Sequence, residues 1–300
     1  MKRRVLYTAI ATGVYLLWVT FVVGLKTEHL IIAGVSALAY LIHPFSRKIV
    51  LGFLFFLIYV VVYDSMRAFP NYEYGTVHIA EPYQFEKEWF GIRTEGDILT
   101  PNEYWEINGS TFLDVITGLF YLNWVPVPIA FGIYLFIKDK LSLVQFSLAF
   151  LLTNLIGFIF YYIYPAAPPW YYSLYGQVAH FNIPGNPAGL VKFDSFFGIH
   201  IFASLYAKNA NVFAAIPSLH SSYPVVVLFY AMKKRLWFLS GLFLVFCAGI
   251  WFSAVYSGHH YIIDVLAGIG CAIASLLIFE KLILKTSIKT WVVNYAQNLK

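Results

Sequence analysis

Charged side chains are scarce in this chain of 300 residues. Asp, Glu, Lys and Arg together make up 12% of it, whereas 60% is hydrophobic and 20% is aromatic. Soluble domains carry about 25% charged residues, so this composition excludes an ordinary soluble protein and predicts an integral membrane protein. Cysteine is also scarce. Cys247 and Cys271 both lie in apolar segments, so we expect small apolar fillers there, and neither a disulfide framework nor a cysteine metal site.

Internal repeats, low-complexity tracts and interdomain linkers are absent too, which favours one helical membrane domain. An apolar segment needs about 20 residues to cross a bilayer. Seven segments are long enough: 5–25, 49–69, 111–137, 141–164, 212–232, 236–256 and 260–280. An eighth, 29–43, is short, but Lys26 and Arg47 at its ends could snorkel to the interface. We therefore predict an all-α, polytopic membrane fold with eight spans.

These spans divide into an N-terminal pair (1–48), a six-helix membrane domain (49–285) and a cytoplasmic tail (286–300). We expect segment 5–25 to be a retained span rather than a signal peptide, because its apolar run is about 20 residues long and no small-residue cleavage site follows. These boundaries rest on hydropathy alone.

The basic residues predict the orientation in the membrane. Lys and Arg concentrate at the N-terminus, in the turns after every second span and in the tail, so these parts are expected to be cytoplasmic. The net charge of +5 is then a topology signal, and we do not expect a nucleic-acid partner. Short tails favour a bacterial inner membrane, with the two histidine motifs described below on the periplasmic side.

Two long segments lie between spans on that outer side. Segment 70–110 is rich in carboxylates and aromatics, which is typical of interfacial helices but equally of a solvated connector. Segment 165–211 begins with the proline-rich stretch that follows Tyr164. A loop of this length is often a lid or a binding loop, so we expect it to recognise substrate.

Two motifs about forty residues apart carry the chemistry. One contains Ser218 and His220, and the other contains His259, His260 and Asp264. Positions i and i+4 share a helix face, so Asp264 can hydrogen-bond His260, fix its tautomer and make its free nitrogen a nucleophile. His220 is then available as the proton donor. The alternative to a catalytic role is that His260 and Asp264 form a structural pair between helices.

The motifs Pro217–His220 and His259–Asp264, with the Pro165–Pro169 stretch between spans, resemble the phosphatidic-acid phosphatase type 2 superfamily. Within it, the closer resemblance is to inositol phosphorylceramide synthase-like membrane proteins. The resemblance implies that His260 forms a phosphohistidine oriented by Asp264. His220 would protonate the departing alcohol and then deprotonate the acceptor. Such chemistry needs no metal and no cofactor.

Departures from the family pattern concern positive charge. Phosphatases of the superfamily carry Arg at the position of Ala254 and an Arg-Pro pair that this chain lacks, and Trp170 stands where the fungal synthases tend to have Arg. A phosphomonoester carries close to two negative charges and usually needs several cations, whereas a phosphodiester carries one. A site poor in Arg and Lys therefore favours a diester substrate.

Further candidate substrate-binding residues lie near the motifs or in the outer loops: Pro217, Ser218, His259, Lys208, Tyr256 and Trp170. Ser218 and the backbone N–H groups at 217–220 could bind phosphate oxygens. The alternatives are that Lys208 is a snorkelling lysine, that Tyr256 packs, and that His259 lies behind the site or at an interface. A metal site of His220, His259 and His260 is not expected, because their spacing matches no zinc motif.

The sequence thus predicts a membrane enzyme that transfers a phospho-head group, such as inositol phosphate, from a phospholipid to a lipid alcohol such as ceramide. The alternative is a lipid phosphatase that uses water and acts on phosphatidic acid, a polyprenyl pyrophosphate or an inositol-phosphate lipid. A transporter or an inactive lipid-binding protein is a third possibility, which retention of all the motif residues disfavours.

Overall fold

The computed structural model describes residues 2–181, 183–208 and 211–300, and nearly all of its regular structure is helical. In these ranges the α-helices are α1 Lys2–Trp18, α2 Thr27–Ile42, α3 Pro44–Gly52, α4 Leu54–Ser65, α5 Ala80–Phe90, α6 Pro101–Ile107, α7 Thr111–Leu122, α8 Pro126–Lys138, α9 Lys140–Ile163, α10 Pro169–Tyr175, α11 Val191–Phe197, α12 Ile201–Tyr206, α13 Leu219–Lys233, α14 Trp237–Tyr256, α15 Ile262–Leu277 and α16 Ile288–Gln297. Two short antiparallel strands, β1 Ile92–Arg93 and β2 Ile98–Leu99, form a hairpin with Ile92 opposite Leu99.

Five helical stretches of the described chain are long and apolar enough to cross a membrane: Lys2–Val23, Thr111–Lys138, Lys140–Ile163, Trp237–Tyr256 and Ile262–Lys285. The pair Pro44–Gly52 and Leu54–Ala68, bent by 52°, supplies a sixth if it counts as one span. The predicted all-α, polytopic membrane fold is confirmed. The two remaining predicted spans correspond to α2 and α13, which are shorter, so the number eight stays a prediction.

Helix α13 starts later than its apolar run predicts. The prediction of a span from residue 212 was wrong by seven residues, because the helix begins at Leu219. Pro217 has no N–H to donate. Ser218 has extended backbone and its hydroxyl accepts the N–H of Ser221 at 3.3 Å, which is an N-cap. The helix therefore begins where its cap lies, and His220 is its second residue.

The core lies where α13 packs between α9, α14 and α15. Its buried side chains include Phe146, Tyr223, Val226, Val227 and Tyr230. At one end of this core α15 lies very close to the start of α13. A Cβ on Gly268 would lie 2.1 Å from the carbonyl oxygen of Ser218. Glycine at 268 thus brings the two motifs together.

Segment 70–110 and both ends of the chain pack on this core to different extents. Segment 70–110 folds into α5, the hairpin and α6, with Glu86 and Asn102 buried against α15 and α14. The predicted tail contains α16, which packs on α9. Helix α1 buries no side chain, and an apolar cavity of about 1010 Å³ separates it and α2 from α4.

Candidate active site

His220, His260 and Asp264 meet where α13 and α15 begin. His260 Nδ1 lies 3.3 Å from Asp264 Oδ2, and His260 Nε2 lies 3.2 Å from His220 Nδ1. A carboxylate only accepts, so Nδ1–H donates to Asp264 and the lone pair of Nε2 faces His220. His260 and Asp264 are buried, whereas His220 is partly exposed. The three side chains predicted from the motifs are therefore brought together.

His260 itself is not helical, contrary to the geometry assumed from the sequence. Helix α15 begins at Ile262, and His260 lies in the tight connection that follows α14. Gly258 has φ +71°, which allows the chain to turn there. The N–H groups of His259 and His260 both donate to the carbonyl of Ala254, at 3.1 and 3.0 Å. The i, i+4 pair survives because this turn places the imidazole above the first turn of α15.

Hydrogen bonds to backbone carbonyls of α15 hold the two motifs together. The N–H of Ser218 donates to the carbonyl of Asp264 at 2.9 Å, and the hydroxyl of Ser222 donates to the carbonyl of Gly268 at 2.7 Å. Pro217 is buried beside them, and its carbonyl accepts the hydroxyl of Tyr161 at 3.1 Å. These bonds make the distance between the histidines a property of the α13–α15 junction. The predicted phosphate contacts of Pro217 and Ser218 stay predictions.

His259 connects the long segment 165–211 to the site. Burial lowers the pKa of His259 to about 3, so the neutral ring donates its Nε2–H to the carbonyl of Pro187 at 2.8 Å. The ring lies between those of Tyr206 and Tyr121, at centroid distances of 4.2 and 5.6 Å. These contacts join His259 to the protein on both faces of its ring, and its predicted substrate contact stays a prediction.

Two aromatic residues of the site were not anticipated. The hydroxyl of Tyr121 lies 3.2 Å from His220 Nδ1, and Trp124 meets the His220 ring edge-on with centroids 4.6 Å apart. Aromatics make up 20% of the chain, so neither residue carried a local signal in the sequence. Tyr121 is on α7, which packs against α14, and Trp124 lies in the turn between α7 and α8.

Trp170 and Tyr256 line a cavity of about 540 Å³ beside the turn that precedes His259, together with Glu103 and Lys192. The backbone N–H of Trp170 donates to the carbonyl of Gly258 at 3.0 Å. The hydroxyl of Tyr256 donates to Asp114 Oδ1 at 2.7 Å. Both residues therefore support the turn, and their predicted substrate contacts stay predictions.

Lys208 is held elsewhere. Its Nζ lies 3.1 Å from Glu28 Oε1 on α2, rather than against either histidine, and its side chain is exposed. In the described part of the chain, the side chains in hydrogen-bond or ring contact with His220 and His260 include Asp264, Tyr121 and Trp124. None of these three side chains brings a positive charge to the histidines.

Comparison with known proteins shows which family the chain resembles and how much of it is matched. The profile of the PAP2 superfamily matches residues 100–278. The phosphoinositol dihydroceramide synthase of Bacteroides thetaiotaomicron is 46% identical over 281 residues, which are 93% of this chain and 92% of that protein.

Fungal relatives match a smaller part. The inositol phosphorylceramide synthase catalytic subunit of Saccharomyces cerevisiae is 37% identical over 131 residues, 42% of this chain and 31% of that protein. The inositol phosphorylceramide synthase of Candida albicans is 34% identical over 169 residues, 54% of this chain and 34% of that protein. No solved structure matches the chain.

Proposed function

Because the chain belongs to the PAP2 superfamily, we propose that it is a lipid phosphotransferase that moves inositol phosphate from phosphatidylinositol to a ceramide-type acceptor. The observation that carries the proposal is the Nε2 of His260, which faces His220 Nδ1 at 3.2 Å while Asp264 holds the other ring nitrogen. The match to the Bacteroides synthase, which covers 93% of this chain, supports the substrate pair.

The reaction proceeds in two displacements at phosphorus. His260 Nε2 attacks the phosphodiester, the N–P bond forms and the P–O bond to diacylglycerol breaks, while His220 gives its proton to the departing oxygen. The acceptor hydroxyl then gives a proton to His220 and attacks phosphorus, which breaks the N–P bond. Asp264 stabilises the imidazolium that develops on His260. This scheme leaves His220 protonated at the end, as at the start.

Phosphorus can enter only if the two rings separate. At 3.2 Å the nitrogens of His220 and His260 are in direct hydrogen-bond contact, which leaves no space for a phosphoryl group. His220 is partly exposed and contacts Tyr121 and Trp124. A rotation of His220 toward Tyr121 and Trp124 would make room for the phosphoryl group. His220 Nδ1 would then face the ester oxygens.

The charge of the site favours a diester. Asp264, Tyr121 and Trp124 add no positive charge around the histidines, whereas a phosphomonoester with nearly two negative charges usually needs several cations. A phosphodiester carries a single charge, and the backbone N–H groups at the start of α13 could bind it. A diester donor in turn makes head-group transfer the natural reaction.

The proposal includes a site on the non-cytoplasmic face. His220 lies at the start of α13, and the basic residues Lys233 and Lys234 lie at its other end. These lysines pair with Glu280 and Asp139, both at 2.6 Å. Basic residues mark the cytoplasmic side, so the histidines would face away from it.

The test uses the purified protein in mixed micelles with phosphatidylinositol, with and without ceramide. We expect inositol phosphorylceramide and diacylglycerol to form together, only when ceramide is present. His260→Ala should lower the rate by more than about 1,000-fold, whereas His200→Ala, at an exposed loop histidine, should leave it unchanged. Release of free phosphate from phosphomonoesters without an acceptor would contradict transfer and indicate a phosphatase.

A further inference from the structure

We propose that Glu86 of α5 and Asn102 of α6 are positioning residues that hold the His260 connection and the start of α15 in the geometry needed for attack. This inference rests on the proposed function. It concerns a part of the chain that lies mostly before the matched superfamily region, which starts at residue 100. Neither residue is part of the histidine motifs.

Glu86 caps the first two N–H groups of α15. Its Oε1 accepts the N–H of Ile262 at 2.8 Å and its Oε2 accepts the N–H of Ile263 at 3.3 Å, and the side chain is fully buried. The first N–H groups of a helix have no partner within the helix. A carboxylate also interacts favourably with the positive end of the helix dipole. Glu86 therefore satisfies two of the donors that surround Asp264.

This cap leaves Asp264 free to orient His260. Asp264 Oδ2 accepts the N–H of Tyr261 at 2.9 Å and lies 3.3 Å from His260 Nδ1. Without Glu86, the N–H groups of Ile262 and Ile263 would be unpaired near the carboxylate of Asp264. They would compete with His260 for its oxygens, because buried donors that lack an acceptor are costly. The contact that fixes the tautomer of His260 would weaken first.

Asn102 closes the connection from the other side. Its Nδ2 donates to the carbonyl of Val255 at 2.7 Å and to the carbonyl of His260 at 2.9 Å. One amide thus joins the end of α14 to the residue that would attack phosphorus. A side chain without two donors could not make this bridge. Asn102 is 7% exposed, so water does not readily replace it.

The two residues belong to one rigid unit. Thr100 and Glu103 form a capping box at the start of α6, with Thr100 N–H donating to Glu103 Oε2 at 2.7 Å. The hydroxyl of Tyr83 on α5 donates to Glu103 Oε1 at 2.9 Å, which ties α5 to α6. Glu86 and Asn102 are therefore held relative to each other. Together they hydrogen-bond to the end of α14, to His260 and to the start of α15.

Protonation of Glu86 should weaken its hydrogen bonds to the start of α15. Burial raises the pKa of Glu86 to about 7, while the N–H groups of Ile262 and Ile263 lower it and the charge of Asp264 raises it. The other titratable groups that interact with this region include Tyr261, which precedes α15, Tyr83 on α5 and Glu103 on α6. Only the ionised carboxylate can accept with both oxygens, so both hydrogen bonds of Glu86 are fully formed above about pH 7.

The test compares kcat, KM and thermal unfolding of Glu86→Gln and Asn102→Asp in the full-length protein. Gln presents an NH2 group to one of the two N–H donors, and Asp presents oxygens to two carbonyls. We expect kcat to fall about 10- to 100-fold, KM to stay within about threefold, and both variants to remain folded. Glu88→Gln on α5 and Asn108→Asp, at the residue that follows α6, are exposed controls and should keep the wild-type kcat.

The pH profile separates positioning from a general loss of stability. Glu86→Gln should move the acidic limb of kcat, whereas Glu88→Gln should leave it in place. Glu86→Asp keeps the charge but withdraws it by one methylene, so an intermediate kcat is expected. Wild-type kcat in the folded Glu86→Gln and Asn102→Asp variants, or loss of the folded protein in all three variants, would overturn the proposal.

Failure of the proposed function would look different. If the wild type does not transfer inositol phosphate but turns over another phosphoester, the same variants are compared on that reaction, and the expected loss in kcat is unchanged. A wild-type protein without any phosphoester turnover would overturn both the function and the positioning role.

Discussion

At the scale of single residues, the His260–Asp264 pair shows what a motif can and cannot predict. Spacing indicated that the two side chains would meet, and they do, at 3.3 Å. The sequence did not indicate that His260 precedes the helix and is held by the carbonyl of Ala254. Glu86 could not be predicted either, because its partners are backbone N–H groups about 176 positions away along the chain.

The orienting role predicted for Asp264 can be tested by Asp264→Asn. The amide can donate to His260 Nδ1 and so stabilise the tautomer in which Nε2 carries the proton and cannot attack. We expect kcat to fall by about 10³- to 10⁴-fold, as in related hydrogen-bonded triads, with little change in KM. Steady-state kinetics on folded protein measure this, and a loss below about tenfold would assign the pair a structural role instead.

Glu86 also predicts how stability depends on pH. Its pKa is raised by burial from its ordinary 4.5 to about 7, so between these values the folded state holds a proton that the unfolded state has released. The free energy of unfolding should therefore fall as pH rises from about 4.5 to 7, with no further contribution from this group outside that window. Chemical unfolding at several pH values measures the slope, which Glu86→Gln should reduce and Glu88→Gln should not.

At the scale of helices, the site depends on the junction of α13 and α15. Apolar runs predicted both helices, but the start of α13 was placed seven residues too early, because hydropathy does not register the capping bond of Ser218 or the missing N–H of Pro217. The junction is close because Gly268 has no side chain. Such contacts between distant segments are set by packing and leave no periodic trace in the sequence.

Gly268→Ala tests this close approach. The new Cβ would lie 2.1 Å from the carbonyl oxygen of Ser218, so α15 must move away from α13 and carry Asp264 with it. We expect a loss of stability of about 1–3 kcal/mol and a lower kcat. Gly270→Ala is the matched control on the same helix, with nothing within 4 Å of its Cβ. It should be neutral or stabilising by up to about 1 kcal/mol, and equal effects of the two substitutions would refute the argument.

At the scale of the whole molecule, composition and charge indicated most of the architecture. An all-helical polytopic membrane protein was predicted from apolar runs, and the superfamily from the joint motifs, and both are confirmed. The fold of segment 70–110 was left open between an interfacial helix and a connector. It forms α5 and α6, which pack on the site through Glu86 and Asn102. Its amphipathic composition could not indicate which surface it would cover.

The proposed orientation can be tested by labelling single cysteines in intact cells. Ser173→Cys is at an exposed position of α10, in the lining of the cavity beside the turn that precedes His259, and Lys289→Cys is at an exposed position of α16. A membrane-impermeant maleimide should label the first and should reach the second only after the membrane is opened. The native Cys247 and Cys271 are buried and should not react. The reverse labelling pattern would place the site in the cytoplasm.

The direct contact between His220 and His260 also has a consequence for selectivity. Asp264 occupies one ring nitrogen of His260, and the Nδ1–H of His220 covers the other at 3.2 Å. In this resting state the proposed nucleophile is masked by its proposed proton donor. A bilayer consists largely of phosphodiesters, and an unmasked imidazole would meet them continually. Only a lipid whose binding compensates for the lost histidine–histidine bond can expose the lone pair, so recognition and reactivity are coupled in one contact.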